Sequence, residues 1–328
     1  MGKKLKDKKI LLLMPQFYGY EKYILSELEK KELNIDVFYT NLIKYDYRYR
    51  FLKMMPLYIT SEYYVRSFES KIKEKDYDIV FMIAEASMKR DFIVKVLKKY
   101  QNAKSVLYLW DSIQNCPNVL GYYALFDYIY TFDYKDSVDN GWKYRPLFYI
   151  EDLVGTHIPI FDISIICTAY PERICFVNEL KEYAYDKNIK IHDYLYAPMS
   201  YFIKNRLQKE QSGKKSAKIN FLPLSLEKTY EVYNNSFAVI DLASNTQSGL
   251  TMRTIECLGN GCKLITNNRS VLRADFYDSN NIYYFENNLK DIPIDFFEKN
   301  YKKISTPILN KYSISQWLNE ILELEIYM

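Results

Sequence analysis

The densest run of chemically useful side chains lies between residues 219 and 267. A polar stretch, Ser244-Asn245-Thr246-Gln247-Ser248-Gly249, follows an apolar run and leads into a helical pattern holding Leu250, Thr251, Arg253 and Glu256. A helix N-terminus offers free N–H groups and a partial positive charge, which suits phosphate. Thr251 and Arg253 add a hydroxyl and a cation near that end. Glu256, two turns or less inside the helix, is a carboxylate that could take paired hydroxyls such as a ribose presents. A plain strand–helix crossover with polar caps would use the same residues, so spacing alone leaves both readings open.

Two further constellations follow apolar runs. Thr168-Ala169-Tyr170-Pro171-Glu172-Arg173 opens a helix. The Arg173 guanidinium there could fork onto a pyrophosphate, or lie on the helix surface. In the first half, Leu107-Tyr108-Leu109-Trp110-Asp111-Ser112 ends a strand with a carboxylate between Trp and Ser. Asp111 is the first candidate for a general base taking the proton of an attacking hydroxyl, with Glu85 as its rival. A helix cap is the alternative role for Asp111, and Asp133 reads as a cap for the helix after it. Gln114 and Asn115 could hydrogen-bond sugar hydroxyls. The two histidines, His157 and His192, have no Cys or His at ligand spacing, and no metal site is expected. P-loop, kinase and Ser-His-Asp patterns are absent.

These residues need a scaffold, and the apolar patterning supplies one. Short apolar runs at 10–14, 35–39, 78–83, 105–110 and 128–132 read as strands. Amphipathic stretches at 21–31, 58–75 and 89–100 read as helices between them. The pattern restarts with strands at 161–167, 189–194, 219–222, 237–242 and 263–266, and helices at 171–187, 226–234 and 250–258. Residues 208–216 form a polar loop, and two amphipathic stretches, 294–303 and 314–326, close the chain. Continuous apolar strands alternating with helices predict parallel sheets covered on both faces. Ligands of such sheets bind beyond the carboxyl ends of the strands. The reading is therefore two doubly wound domains, residues 1–155 and 156–328, facing each other across a cleft.

Composition agrees. The 328 residues suit two domains. The formal charge of +4 is too small for a dedicated nucleic-acid binder. Aromatic residues make up 17% of the chain, chiefly 34 Tyr, whose apolar body and wet hydroxyl suit sugar platforms and membrane rims. Five cysteines without a CxxC pattern suit a reducing cytosol. The basic start is followed by only five apolar residues before Pro15, too few for a signal peptide, and no run of ~20 apolar residues could span a membrane.

The stretch 219–267 resembles the nucleotide-binding half of GT-B glycosyltransferases. Those enzymes carry a polar, Gly-containing loop, then a helix whose Glu is followed five residues later by Gly, as Glu256 and Gly261 are here. Gln247-Ser248-Gly249-Leu250-Thr251-Met252-Arg253-Thr254-Ile255-Glu256 is similar to a subgroup acting on surface polysaccharides. The resemblance implies that Glu256 holds the ribose of a sugar nucleotide. It sets the Gly249–Arg253 turn toward the diphosphate or sugar, Arg173 near the donor phosphates, and Phe221, Leu222 and Pro223 beside the base. Ser248 stands where many retaining members have a second Glu, so retention or inversion stays open. Cys167 stands where relatives often have a Gly-rich turn. The implied protein is a GT-B transferase needing no metal or other cofactor. It would take a nucleoside-diphosphate sugar as donor and a glycan or lipid-linked acceptor. It would work in the cytoplasm or peripherally at the inner face of the membrane, where the basic, aromatic run Tyr45-Asp46-Tyr47-Arg48-Tyr49-Arg50-Phe51 suits the acceptor. A 2-epimerase of the same shape, or a non-catalytic subunit of an assembly complex, is the alternative.

Overall fold

The computed structural model describes residues 8–41, 65–72, 76–84, 88–198, 217–286 and 292–323. Glu85, the run 45–51 and the polar loop 208–216 lie outside these residues. By its contacts the chain forms two compact units. The first comprises Met1–Leu147, Asn245–Gly249 and Ile314–Met328, and the second Phe148–Ser244 and Leu250–Ser313.

The first unit contains β1 (Lys9–Met14), β2 (Asn34–Tyr39), β3 (Ile79–Ala84), β4 (Lys104–Leu109), β5 (Tyr128–Thr131) and β6 (Lys143–Tyr144). They form one sheet in the order β2-β1-β3-β4-β5-β6, every pair parallel. Ile10 to Met14 and Ile79 to Ala84 are buried without a break, as strands covered on both faces must be. Helices α1 (Tyr20–Lys30), α2 (Arg90–Lys99) and α3 (Tyr134–Asn140) connect them. Strand order reverses between β1 and β3, which opens a crevice at their carboxyl ends.

The second unit repeats the plan. Strands β7 (Phe161–Thr168), β8 (Ile191–Tyr196), β9 (Ile219–Asn220), β10 (Ser236–Asp241), β11 (Lys263–Thr266) and β12 (Ile282–Tyr284) run parallel in the order β12-β11-β10-β7-β8-β9. Helices α4 (Pro171–Lys187), α5 (Leu226–Asn234), α6 (Met252–Asn260), α7 (Ile294–Glu298) and α8 (Thr306–Lys311) accompany them. Order reverses between β7 and β10. The amphipathic stretch expected at 294–303 stops at Glu298, and a separate helix starts at Thr306 with Pro307 in its first turn.

The last helix, α9 (Ile314–Ile321), belongs to the first unit, unlike the sequence-based division at 155. Its fully buried Trp317 meets Tyr108 edge-on at 4.8 Å and lies 6.1 Å from both Phe81 and Trp110. The buried Arg145 pairs with Glu320 at 2.9 Å, and Tyr108 Oη donates to the Arg145 carbonyl at 3.0 Å. Removing the indole should leave a cavity against β3 and β4. Trp317→Ala is expected to cost about 3–5 kcal/mol of unfolding free energy in chemical denaturation. A cost under ~1 kcal/mol would mean that α9 does not cover this sheet.

Candidate functional site

The carboxyl end of the second sheet, at its reversal between β7 and β10, gathers the strongest polar cluster. Asp241, the last residue of β10, is buried. Its Oδ2 accepts from Thr251 Oγ1 at 2.7 Å and Thr254 Oγ1 at 3.0 Å, and its Oδ1 from Arg253 Nη1 at 3.0 Å. Thr251 is the N-cap of α6 and accepts from the Thr254 N–H at 3.1 Å. Arg253 Nη2 reaches across to the Ile166 carbonyl of β7. Burial alone would lower the Arg253 pKa, but Tyr233 and Asp241 more than reverse that and hold it above its ordinary value.

Arg173 comes to the same edge from the start of α4. Its Nη2 donates to the Leu242 carbonyl at 3.0 Å, and its guanidinium lies over the Tyr170 ring at 5.4 Å. Two guanidiniums and one carboxylate leave this edge cationic. Burial pushes up the Cys167 thiol, only partly offset by Arg253 and Arg173, so it stays a neutral thiol. Asn267 fixes the exit of β10: its Oδ1 accepts from Ala243 N at 2.8 Å. Beyond β9, Phe221, Leu222 and Pro223 are exposed, and the Leu222 carbonyl accepts from Tyr194 Oη at 3.0 Å.

Glu256 is buried, 2% exposed, on the face of α6 toward α5. After burial itself, its charge is the main influence raising the pKa of Tyr230 and Tyr233. The carboxylate expected to meet a ribose therefore sits among phenols in the interior of the unit.

The polar loop differs from its sequence reading. Helix α6 begins at Met252, not at 250, and Gly249 lies in a segment that packs within the first unit. There Asp133, buried, caps α3 by accepting from Asp136 N at 3.1 Å, as expected, and does more. Its carboxylate also accepts from Ser248 N at 2.5 Å, Ser248 Oγ at 2.6 Å and Gly249 N at 3.0 Å. Ser248 Oγ in turn accepts from Lys135 N, and the Thr246 carbonyl accepts from Ser112 Oγ, both at 2.9 Å. Gly249 is needed for space: a Cβ would stand 2.4 Å from the Phe132 ring and 2.8 Å from its carbonyl oxygen. Leu250 is buried, and Gln247 is half-buried.

Asp111 follows β4 as an exposed residue. Its Oδ1 accepts from Ser112 N at 2.9 Å and Asn115 Nδ2 at 2.8 Å, closing a short turn, while Oδ2 has no hydrogen bond among the described residues. Trp110 beside it packs on Phe17, with ring centres 4.7 Å apart. Sequence reasoning missed Asp241. Its signal was an acid at the end of an apolar run, ten residues before a Thr-x-Arg-Thr cluster. Among the described residues no group of three His, Cys, Asp or Glu is placed to hold a metal ion.

No family model matches the sequence, and no curated protein matches it. Solved structures match over nearly the full length. HepE of Anabaena, crystallised with UDP and glucose, is 12% identical with a TM-score of 0.59 over 97% of this chain and 100% of its own. The UDP-GlcNAc 2-epimerase of Methanocaldococcus jannaschii, solved with UDP-GlcNAc and UDP, is 10% identical with a TM-score of 0.57 over 98% and 100%. The lipopolysaccharide outer core galactosyltransferase WaaB, in its apo form, is 15% identical with a TM-score of 0.52 over 96% and 99%. The chain has the GT-B fold of two Rossmann-like domains, which glycosyltransferases and UDP-GlcNAc 2-epimerases share.

The Asp241 cluster yields a stability test. Asp241→Ala leaves the Arg253 guanidinium without its carboxylate and strips two hydroxyls of their acceptor. A loss of about 3–5 kcal/mol in unfolding free energy is expected, the cost of breaking a buried ion pair from one side. A change below ~1 kcal/mol would show that α6 does not depend on this carboxylate.

Proposed function

We propose that this protein is a glycosyltransferase moving a sugar from a nucleoside-diphosphate sugar to a hydroxyl of a glycan or lipid-linked acceptor, in the synthesis of a bacterial surface polysaccharide. The observation that carries the reading is the pair Arg173 and Arg253, converging on the strand-order reversal of the second sheet. That is where doubly wound sheets take ligands, and two guanidiniums suit a diphosphate. The exposed Phe221-Leu222-Pro223 turn at the same edge suits the base. HepE and the epimerase were solved with UDP or its sugars, which supports a sugar nucleotide as donor. WaaB, named for a lipopolysaccharide core, supports the polysaccharide setting.

In this reading the acceptor hydroxyl oxygen attacks the anomeric carbon, and the bond from that carbon to the diphosphate oxygen breaks. The charge appearing on the leaving diphosphate is met by Arg173 and Arg253, so the reaction proceeds without a metal. The family resemblance sets Glu256 at the ribose hydroxyls, and in this structure it lies buried beside Tyr230 and Tyr233. Asp111, with Oδ2 unoccupied, accepts the acceptor proton. No helix among the described residues is long and apolar enough to cross a membrane, and lipid-linked acceptors would be met peripherally at the inner membrane face. The 2-epimerase reading shares the fold evidence and differs in outcome: it returns an epimerised sugar.

Incubation with a panel of UDP-, GDP- and CMP-sugars, with excess EDTA and a hydroxyl acceptor pool from a polysaccharide-producing bacterium, tests the proposal. Release of nucleotide together with a new glycoside is expected. An epimerised sugar without a new glycoside supports the alternative, and full loss of activity in EDTA, restored by Mg²⁺, removes the metal-free step. Within the same assay, Asp111→Asn keeps the size and the turn's hydrogen bonds but cannot take a proton. Turnover should fall by ~10²–10⁴ with donor affinity near wild type. Near-normal turnover would turn attention to Glu85.

A further inference from the structure

The far end of α6 brings two thiols together. The chain leaves the helix through Cys257-Leu258-Gly259-Asn260-Gly261-Cys262. Gly261 takes φ 64, in the left-handed region that glycine enters without steric cost. The Cys262 N–H then donates to the Cys257 carbonyl at 3.2 Å, and the Gly261 N–H to the Leu258 carbonyl at 3.3 Å. This pair of bonds is a Schellman turn, which sets the side chains of its first and sixth residues against each other. Apolar residues ordinarily make that contact. Here both positions are cysteine.

The two side chains are 1% and 3% exposed, and neither is in a disulfide. Cys262 Sγ donates weakly to the Cys257 carbonyl at 3.7 Å, which holds it over the turn. Burial, and then the hydrogen bond to Cys262, hold the Cys257 thiol well above its ordinary pKa. A cavity of about 10 Å³ lies against both thiols, with Phe276, Tyr301 and Ile304 among its other walls. That is roughly the least room that holds one water. Bulky thiol reagents are therefore shut out, whereas hydrogen peroxide is little larger than water. The transferase reading uses neither cysteine.

We propose that Cys257 and Cys262 are a redox pair, which hydrogen peroxide converts to a disulfide closing the C-terminal turn of α6. In the first step one thiol takes an oxygen from peroxide, giving a sulfenic acid and one water. In the second the neighbouring sulfur attacks that sulfur, the S–O bond breaks, and a disulfide and a second water form. Burial slows the first step, because the thiolate is the nucleophile. Proximity speeds the second, so the sulfenic acid is intercepted before it is oxidised further. A small thiol reverses the change by exchange. The inference is independent of the transferase reading.

The test uses the full chain carrying Cys175→Ala, which removes the exposed thiol and leaves four of the five cysteines. The reduced, folded protein is treated with hydrogen peroxide and read by peptide mass mapping. The expected product has lost two hydrogen atoms, carries a Cys257–Cys262 cross-link and regains both thiols with dithiothreitol. This bridge should form at least about tenfold faster than any other pairing of the four thiols. The oxidised chain should unfold at a urea midpoint no lower than that of the reduced chain, because the bridge constrains the unfolded ensemble. In the same background, Cys257→Ala and Cys262→Ala should each abolish the loss of two hydrogens and leave the surviving thiol open to sulfinic acid. Both thiols staying reduced, or a sulfinic acid in place of the bridge, overturns the proposal. So does a bridge that appears only in urea above the unfolding transition, or one that lowers the midpoint, because the native turn then does not accommodate it.

Discussion

The Asp241 carboxylate is the interaction on which the carboxyl end of the second sheet depends. It ends β10 at the point where strand order reverses, and one buried group there takes two threonine hydroxyls and one guanidinium. A buried charge is tolerated only when paired and hydrogen-bonded, and this one is both. Its negative charge also sits beside the N-terminus of α6, where the cap residue Thr251 donates its hydroxyl to it. It also fixes Arg253 against the Ile166 carbonyl of the neighbouring strand. Arg173 donates to the neutral Leu242 carbonyl, so two guanidiniums against one carboxylate leave the edge with a net positive charge.

The first unit uses the same device. Asp133, two residues beyond β5, is buried and collects four donors: the first turn of α3, two backbone N–H groups and one hydroxyl of the Ser248–Gly249 turn. In both units an aspartate at or just past a strand end gathers donors from a later segment: the start of α6 for Asp241, and the Ser248–Gly249 turn for Asp133. Each satisfies backbone or hydroxyl donors that would otherwise be buried without partners.

Much of the scaffold was legible because parallel strands buried on both faces advertise themselves as unbroken apolar runs. The bounds of α4, α5 and β11 coincide with the sequence reading for that reason and because Pro171, Ser225 and Gly261 mark their limits. The two-residue edge strand β6 was not legible, since Lys143 and Tyr144 are exposed and carry no apolar pattern. The site was harder. Gly249 reads as the opening of a phosphate turn, whereas its missing Cβ makes room for Phe132, more than a hundred residues earlier in the chain. Glu256 reads as a carboxylate for ribose hydroxyls, yet its neighbours are two tyrosines of α5. Asp241 shows in the sequence only as an acid ending an apolar run, because its partners meet it only once the β10–α6 crossover has formed. Types and spacings reveal which groups exist, whereas which of them are already occupied depends on tertiary partners.

The return of α9 to the first unit has a bearing on how the chain is made. All six strands of the first sheet have been polymerised by Tyr144, but Trp317, which covers Phe81 and Tyr108, is polymerised about 170 residues later. At translation rates of roughly 5–20 residues per second, that face stays uncovered for roughly 10–35 s. The nascent first unit must therefore wait, partly assembled and with aromatic surface open to chaperones or to other nascent chains, until the second unit has been synthesised.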